Sequence, residues 1–220
     1  HTISASIIND KGEILSDVRK VFMTEEGGLI PDIVAKHHKE YGERIIEDAI
    51  KQANINENKI DLISFSQGPG LPLSLAVCKN LSINLSKKLN KPLIGVNHIC
   101  GHLEIGRLLT KAKDPVFVFT SGANTQIIAY EGKKYRIFGE CLSIALGNAL
   151  DKFGREIGLG FPAGPKIEEL AKKGKYIELP YVVKGMDVEF SGILTKAIEL
   201  YKKGIKKEDL CDSLQETFFA

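Results

Sequence analysis

The sequence predicts an α/β fold made of two successive copies of one strand-and-helix unit, with a ligand cleft between the copies. Short apolar strands alternate with long helical patterns, which implies a parallel sheet with crossover helices. A hairpin pattern opens the chain, and a similar one opens its second half near Pro115. The 220 residues are 43% hydrophobic and 26% charged, ample for a packed core in an ordinary soluble chain.

The elements follow in order. "TISASIIND" alternates and runs into Asn9-Asp10-Lys11-Gly12, a turn signal, before "EILSDVRKVFM" forms the second arm of a hairpin. "TEEGGLIP" reads as a loop. From Pro31 to about Ala53, Ile33, Val34, Tyr41, Ile45, Ala49 and Ile50 recur at helical spacing, with the proline at the N-terminal end. "IDLISFS" is a buried strand, "QGPGLP" a break, and "LSLAVCKNLSINLSKKL" a second helix. "PLIGV" is another strand. In the second copy, "VFVFTSGANTQIIAYEGKKYRIFGE" gives strand, turn, strand, turn, strand, and a helical pattern starts near Leu142. The boundary falls at 112/113. The echo is topological, not a residue-level repeat. The second copy lacks strands comparable to the later ones of the first, so sequence is expected beyond both ends.

Composition narrows the function. A net charge of +2 does not by itself announce a nucleic-acid binder. No apolar run reaches the ~20 residues of a membrane span. Cys78, Cys100, Cys141 and Cys211 lack paired spacing. That argues against a zinc ribbon or disulfide framework and suits a reducing cytosol. No signal peptide is visible, although His1 is not a natural start.

The chemistry starts at "GVNHICGHLEIG". A helix brings His98 and His102, at i and i+4, onto one face with Cβ atoms ~6 Å apart, a usable bite for one metal ion. They follow directly on "PLIGV", and sheets of this class bind ligands at the carboxyl ends of their strands. Cys100 falls about 200° around the helix from His98 and points away. Two imidazoles are too few, so a further ligand, an oxygen of the second copy, is expected. His37 and His38 are adjacent, about 100° apart, a poor chelating pair and better read as packing or surface residues.

Three other stretches draw notice. "FTSGANTQ", Phe119 to Gln126, is dense in small and hydroxyl residues. Gly122 can take positive φ so that successive N–H groups hold an anion, with Ser121 and Thr125 adding hydroxyls; the alternative is an ordinary hairpin turn. In "ALGNALDKFGREIGLGFPAGPKIEELAKKG", Asp151 lies in a helix. A Gly/Pro loop then leads to a helix start near Pro165, suited to phosphate or ribose. Glu168 is placed to accept from sugar hydroxyls, or is simply a first-turn acid favoured by the helix dipole. "KGMDVEFSG" reads as a strand and turn before another helix, with no assigned chemistry. Lysine clusters, such as Lys172-Lys173-Lys175 and Lys202-Lys203-Lys206-Lys207, read as solvated faces rather than a phosphate track.

Taken together, "GVNHICGHLEIG", "SFSQGPGL", "TSGANTQIIAY", "GNALDKFGREIGLGFPAGPKIEELA" and "VKGMDVEFSGILTKA" resemble the universal tRNA threonylcarbamoyl transferase family, over the whole chain and in its archaeal form. This family includes the catalytic subunit of the KEOPS complex. The resemblance implies an actin-like ATPase fold with two lobes, here 1–112 and 113–220, the second incomplete. It implies cytoplasmic transfer of a threonylcarbamoyl group from threonylcarbamoyl-AMP to N6 of the adenosine beside the anticodon in tRNAs reading codons that begin with A. His98 and His102 then hold one divalent metal ion, iron or zinc, with magnesium a further candidate. Phe119, Thr120, Ser121, Gly122, Ala123 and Asn124 match the nucleotide-binding segment, and Asp151, Gly164 and Glu168 match further substrate contacts. Implied partners are tRNA, a small dimerising subunit and a kinase-like subunit. The helices at about 31–53 and 72–89 are offered to the dimerising one, and no membrane is involved.

Departures from the family pattern carry physical consequences. Phe119 stands where archaeal members have a tyrosine that ligates the metal, and a phenyl ring offers no oxygen. Ala123 and Ala163 stand where glycine is usual, and a Cβ is tolerated there wherever φ is negative. An acidic motif ahead of "HT", and a C-terminal Asn and Asp that contact nucleotide and metal, fall outside the chain. This stretch alone is therefore expected to be inactive. Two alternatives stay open: a non-catalytic actin-like scaffold subunit, and a metalloprotease. The latter lacks H-E-x-x-H, since Ile99 follows His98 and Glu104 lies two past His102.

Overall fold

Strands β1 (Thr2–Ile8) and β2 (Ile14–Val21) pair antiparallel around the Asn9–Gly12 turn, with Thr2 opposite Val21. Gly12 takes φ +81°, the left-handed conformation the turn requires. The computed structural model describes residues 1–24 and 30–220. Most of the loop expected over "TEEGGLIP" lies outside them.

Pro31 opens α1 (Pro31–Gln52), where its missing N–H costs nothing. Val34, His38, Ile45 and Ala49 form its buried stripe, the 3.6-residue period made physical. Strand β3 (Ile63–Gly68) leads to α2 (Pro72–Leu89), which also starts on proline and ends on Asn90 at φ 51°. Strand β4 (Leu93–Asn97) then lies parallel to β3, Ile63 opposite Leu93. This strand–helix–strand crossover delivers the chain directly into α3 (His98–Thr110). Helix α1 packs on β1, β2 and α2, and α2 on β3 and β4.

The second half opens with an antiparallel meander: β5 (Phe117–Thr120), β6 (Thr125–Glu131) and β7 (Lys134–Glu140). Helix α4 (Leu146–Glu156) starts four residues later than the pattern from Leu142 predicts, because Thr125 Oγ1 accepts the Leu146 N–H and fixes the first turn there. Helix α5 (Gly164–Ala171) follows the Gly/Pro loop. The "KGMDVEFSG" stretch supplies a turn and strand before a helix, as expected, and completes a hairpin with the strand before it: β8 (Val182–Lys184) and β9 (Asp187–Glu189) turn at Gly185, φ +63°. Helices α6 (Ser191–Lys202) and α7 (Lys207–Phe219) complete the set.

The chain divides into two compact units, one ending at Ala112 and the other running over Lys113–Ala220. In the second, α4, α5, α6 and α7 share a continuous apolar cluster, with Phe153, Leu194, Leu210 and Leu214 at its centre. The α/β class expected from the sequence is the class observed.

Candidate functional site

In the first unit the imidazole pair is assembled by local rules. Asn97 ends β4 and caps α3, its Oδ1 accepting the N–H groups of Ile99 and Cys100 at 3.0 and 3.1 Å. That cap fixes where the helix begins and places His98 at its first position. Side chains of a helix lean toward its N-terminus, so both rings project back toward the carboxyl ends of the strands. His98 Nε2 and His102 Nε2 stand 3.2 Å apart, ring centroids 4.6 Å apart and planes at 88°. Burial, and then the charge of His102, depress the basicity of His98 and favour its neutral form. On the other side of the ring, Ser66 Oγ of β3 lies 3.0 Å from His98 Nδ1.

The pair fits a metal ion. At zinc–nitrogen distances of ~2.1 Å, a 3.2 Å separation corresponds to an angle of about 100° at a shared ion. Among the described residues no third His, Cys, Asp or Glu joins them. Glu104, the carboxylate that α3 carries, pairs with Arg107 at 3.4 Å. His37 and His38 make ring contacts instead: their centroids lie 5.7 Å apart, His37 meets Phe22 and Tyr41, and His38 Nδ1 binds the Val34 carbonyl at 2.8 Å.

In the second unit the Ser121 turn is held from within. Ser121 N–H donates to the Asn124 carbonyl at 2.7 Å, and Ser121 Oγ accepts the Asn124 N–H at 3.0 Å. The first turn of α4 docks on it, Gly147 N–H to Ser121 O at 3.2 Å and Asn148 N–H to Gly122 O at 3.0 Å. Gly147 allows this approach, since a Cβ there would stand 2.7 Å from the Ser121 carbonyl oxygen.

Three expectations are corrected here. Gly122 does not have positive φ. The Thr125 hydroxyl is buried against α4, not offered to a ligand, and that of Ser121 is spent inside the turn. What the turn does present is the pair of Gly122 and Ala123 amides, for which no acceptor occurs among the described residues. Phe119 is half-buried opposite Gln126, and Thr120 is exposed opposite Thr125.

Asp151 Oδ1 accepts the Ala163 N–H at 2.8 Å, tying α4 to the start of α5. Ala163 has φ −90°, so its Cβ is unstrained, and it fills the space left by Gly154. Half-buried Gly164 and exposed Glu168 follow in α5. The structure thus brings Asp151 to the α5 start that carries Gly164.

Sequence reasoning missed Ser66 and Glu189. A serine at the carboxyl end of the neighbouring parallel strand was the available signal for Ser66. Glu189 accepts the N–H of Ser191, the first residue of α6, at 3.0 Å and the hydroxyl of Ser143. No local signal links two residues 46 positions apart.

These features define an α/β protein whose first unit carries an imidazole pair at a strand end and whose second carries a tight turn with two amides that meet no acceptor among the described residues. The chain belongs to the TsaD family, tRNA N6-adenosine threonylcarbamoyltransferase, which matches residues 13–220. A Methanobrevibacter smithii protein named "Probable bifunctional tRNA threonylcarbamoyladenosine biosynthesis protein" is 52% identical over 214 residues, 97% of this chain and 40% of that protein. Proteins named "tRNA N6-adenosine threonylcarbamoyltransferase" from Thermococcus sibiricus and Thermococcus kodakarensis are each 49% identical over 222 residues, 100% of this chain and 68% of theirs. The chain therefore spans less than half of the first relative. No described helix is long and apolar enough to cross a membrane.

Proposed function

We propose that the full-length protein transfers a threonylcarbamoyl group from threonylcarbamoyl-AMP to N6 of the adenosine beside the anticodon in tRNAs reading codons that begin with A. The observation that carries this reading is the convergence of His98 Nε2 and His102 Nε2 at 3.2 Å in a chain of this family. The donor is a mixed anhydride, so its carbonyl is already activated. The N6 lone pair is delocalised into the ring, so the amine is a poor nucleophile. A bond forms from N6 to the carbonyl carbon, the bond from that carbon to the phosphate oxygen breaks, AMP departs and N6 gives up a proton.

His98 and His102 would hold one divalent ion, iron or zinc by their imidazole chemistry. Bound there, the ion supplies Lewis acidity against charge developing on the donor. The chain's own residues bind and orient. The Gly122 and Ala123 amides, with Phe119, Thr120, Ser121 and Asn124 around them, would cradle the acyl-phosphate region. Asp151, Gly164 and Glu168 would hold the adenosine part, and orientation alone can remove several kcal/mol of barrier. Residues 1–112 and 113–220 are taken as the lobes of an actin-like fold, the second incomplete. A cytoplasmic KEOPS-type assembly would supply a small dimerising and a kinase-like subunit.

The scaffold reading keeps one observation, Phe119 in place of a ligating tyrosine. Full-length protein with synthetic threonylcarbamoyl-AMP and unmodified tRNA separates the two. The wild type is expected to modify the tRNA, and His98→Ala combined with His102→Ala to lose both bound metal and transfer. Transfer unchanged in the double variant removes the metal from the reaction. No transfer by any form, with the other subunits still bound, selects the scaffold.

A further inference from the structure

We propose that Ser66 is a positioning residue for the imidazole pair: its hydroxyl accepts the Nδ1–H of His98, fixing the tautomer that leaves the His98 Nε2 lone pair facing His102. This rests on the metal reading above.

The geometry leads there in steps. A metal ligand must present an unprotonated nitrogen, so His98 can use Nε2 only when its proton sits on Nδ1. The group that meets Nδ1 bears on this, and in this chain it is Ser66 Oγ at 3.0 Å, a hydroxyl able to accept the Nδ1–H. With Nδ1 as donor to Ser66, His98 Nε2 keeps its lone pair free on the side of His102, whose Nε2 stands 3.2 Å away. The hydroxyl and the ion site thus lie on opposite sides of one ring.

The fold places Ser66 for this purpose. Ser66 pairs with Val96 near the end of the parallel ladder, and the register then shifts, so that Gly68 and not Gln67 pairs with Asn97. The Gln67 side chain swings over Gly95, where a Cβ would stand 2.5 Å from Gln67 Oε1. The irregularity follows directly on Ser66, whose hydroxyl meets the ring of His98, the first residue of α3. Sequence separation of 32 residues is bridged by strand register alone.

Outer partners of ligating histidines typically alter metal affinity by about 10–100-fold. The test uses full-length protein and cobalt(II) as probe, with Ser66→Ala and the isosteric pair Ser66→Thr and Ser66→Val. Cobalt affinity is read from the visible absorption bands. The His98 tautomer is read independently, in metal-free protein, from long-range proton–nitrogen NMR correlations. The expected result is a wild type with Nδ1–H, a Ser66→Ala and Ser66→Val loss of that tautomer with about 10–100-fold weaker cobalt binding, and recovery of both in Ser66→Thr. Unchanged tautomer and affinity in Ser66→Ala and Ser66→Val would overturn the proposal alone. A wild type that binds no cobalt would overturn the metal reading and this proposal with it.

Discussion

In the unit that carries the imidazole pair the buried apolar residues are few among those described: Ile3, Val34, Ile45, Ala49, Ile63 and Leu103. Beneath the Ser121 turn and Asp151, the second unit has a continuous cluster that draws on four helices. The two candidate sites are shaped accordingly. His98 and His102 are exposed; the Asn97 cap fixes the start of the helix that carries them, and Ser66 meets the His98 ring. The Ser121 turn is a backbone surface, held by its own hydrogen bonds and by those from the first turn of α4, a helix that the buried cluster fixes in place. A pair of ligands needs orientation, which a few hydrogen bonds supply even at an exposed site. A backbone turn needs a fixed shape, which hydrogen bonds onto a well-packed helix supply.

Emptying the second core gives the largest effect. Phe153 is fully buried, so Phe153→Ala should cost about 3–5 kcal/mol, measured by denaturant unfolding. Amide exchange should quicken across α4–α7 with the α1 amides unchanged. An equal loss in both units would break the contrast. Thr125→Val comes next. It removes the buried acceptor of the Leu146 N–H, for about 1–3 kcal/mol, and Thr125→Ser should restore most of it. The Leu146 amide reports the change.

Asn97→Ala probes the other foundation. Loss of the cap should cost about 1 kcal/mol, with faster exchange at Ile99 and Cys100 and none at the Ser121 turn. The smallest effect belongs to Glu189, whose carboxyl the Ser143 hydroxyl first, then Ser191, holds below the ordinary glutamate range. A depressed folded value contributes stability that is present above the unfolded pKa and lost as pH falls through the folded one. The start of α6 should therefore loosen on acidification below the ordinary glutamate range, read at the Ser191 amide. Glu189→Gln should flatten that response.

Much of this was legible residue by residue. Helix α1 follows from its apolar spacing and Pro31, and β4 running into His98 follows from the short apolar run "PLIGV"; the capping role of Asn97 came from the structure. The family resemblance drew on longer stretches and singled out Asp151. The role of Asp151 in tying α4 to α5 was not legible, because its acceptor work depends on how a Gly/Pro loop returns. Nor was the fate of the Thr125 hydroxyl, which looks like a ligand donor in a strand-turn-strand pattern and is claimed by a helix 21 residues on.

The sequence by itself determined the spacing of His98 and His102, since helical periodicity needs only neighbours along the chain. It also determined the order of strands and helices, through hydrophobic period and the positions of proline and glycine. Only the tertiary structure decided which polar groups remain for a ligand and how His98 is turned. Those depend on partners 12 to 46 positions away, brought close by strand register and helix packing rather than by any local preference.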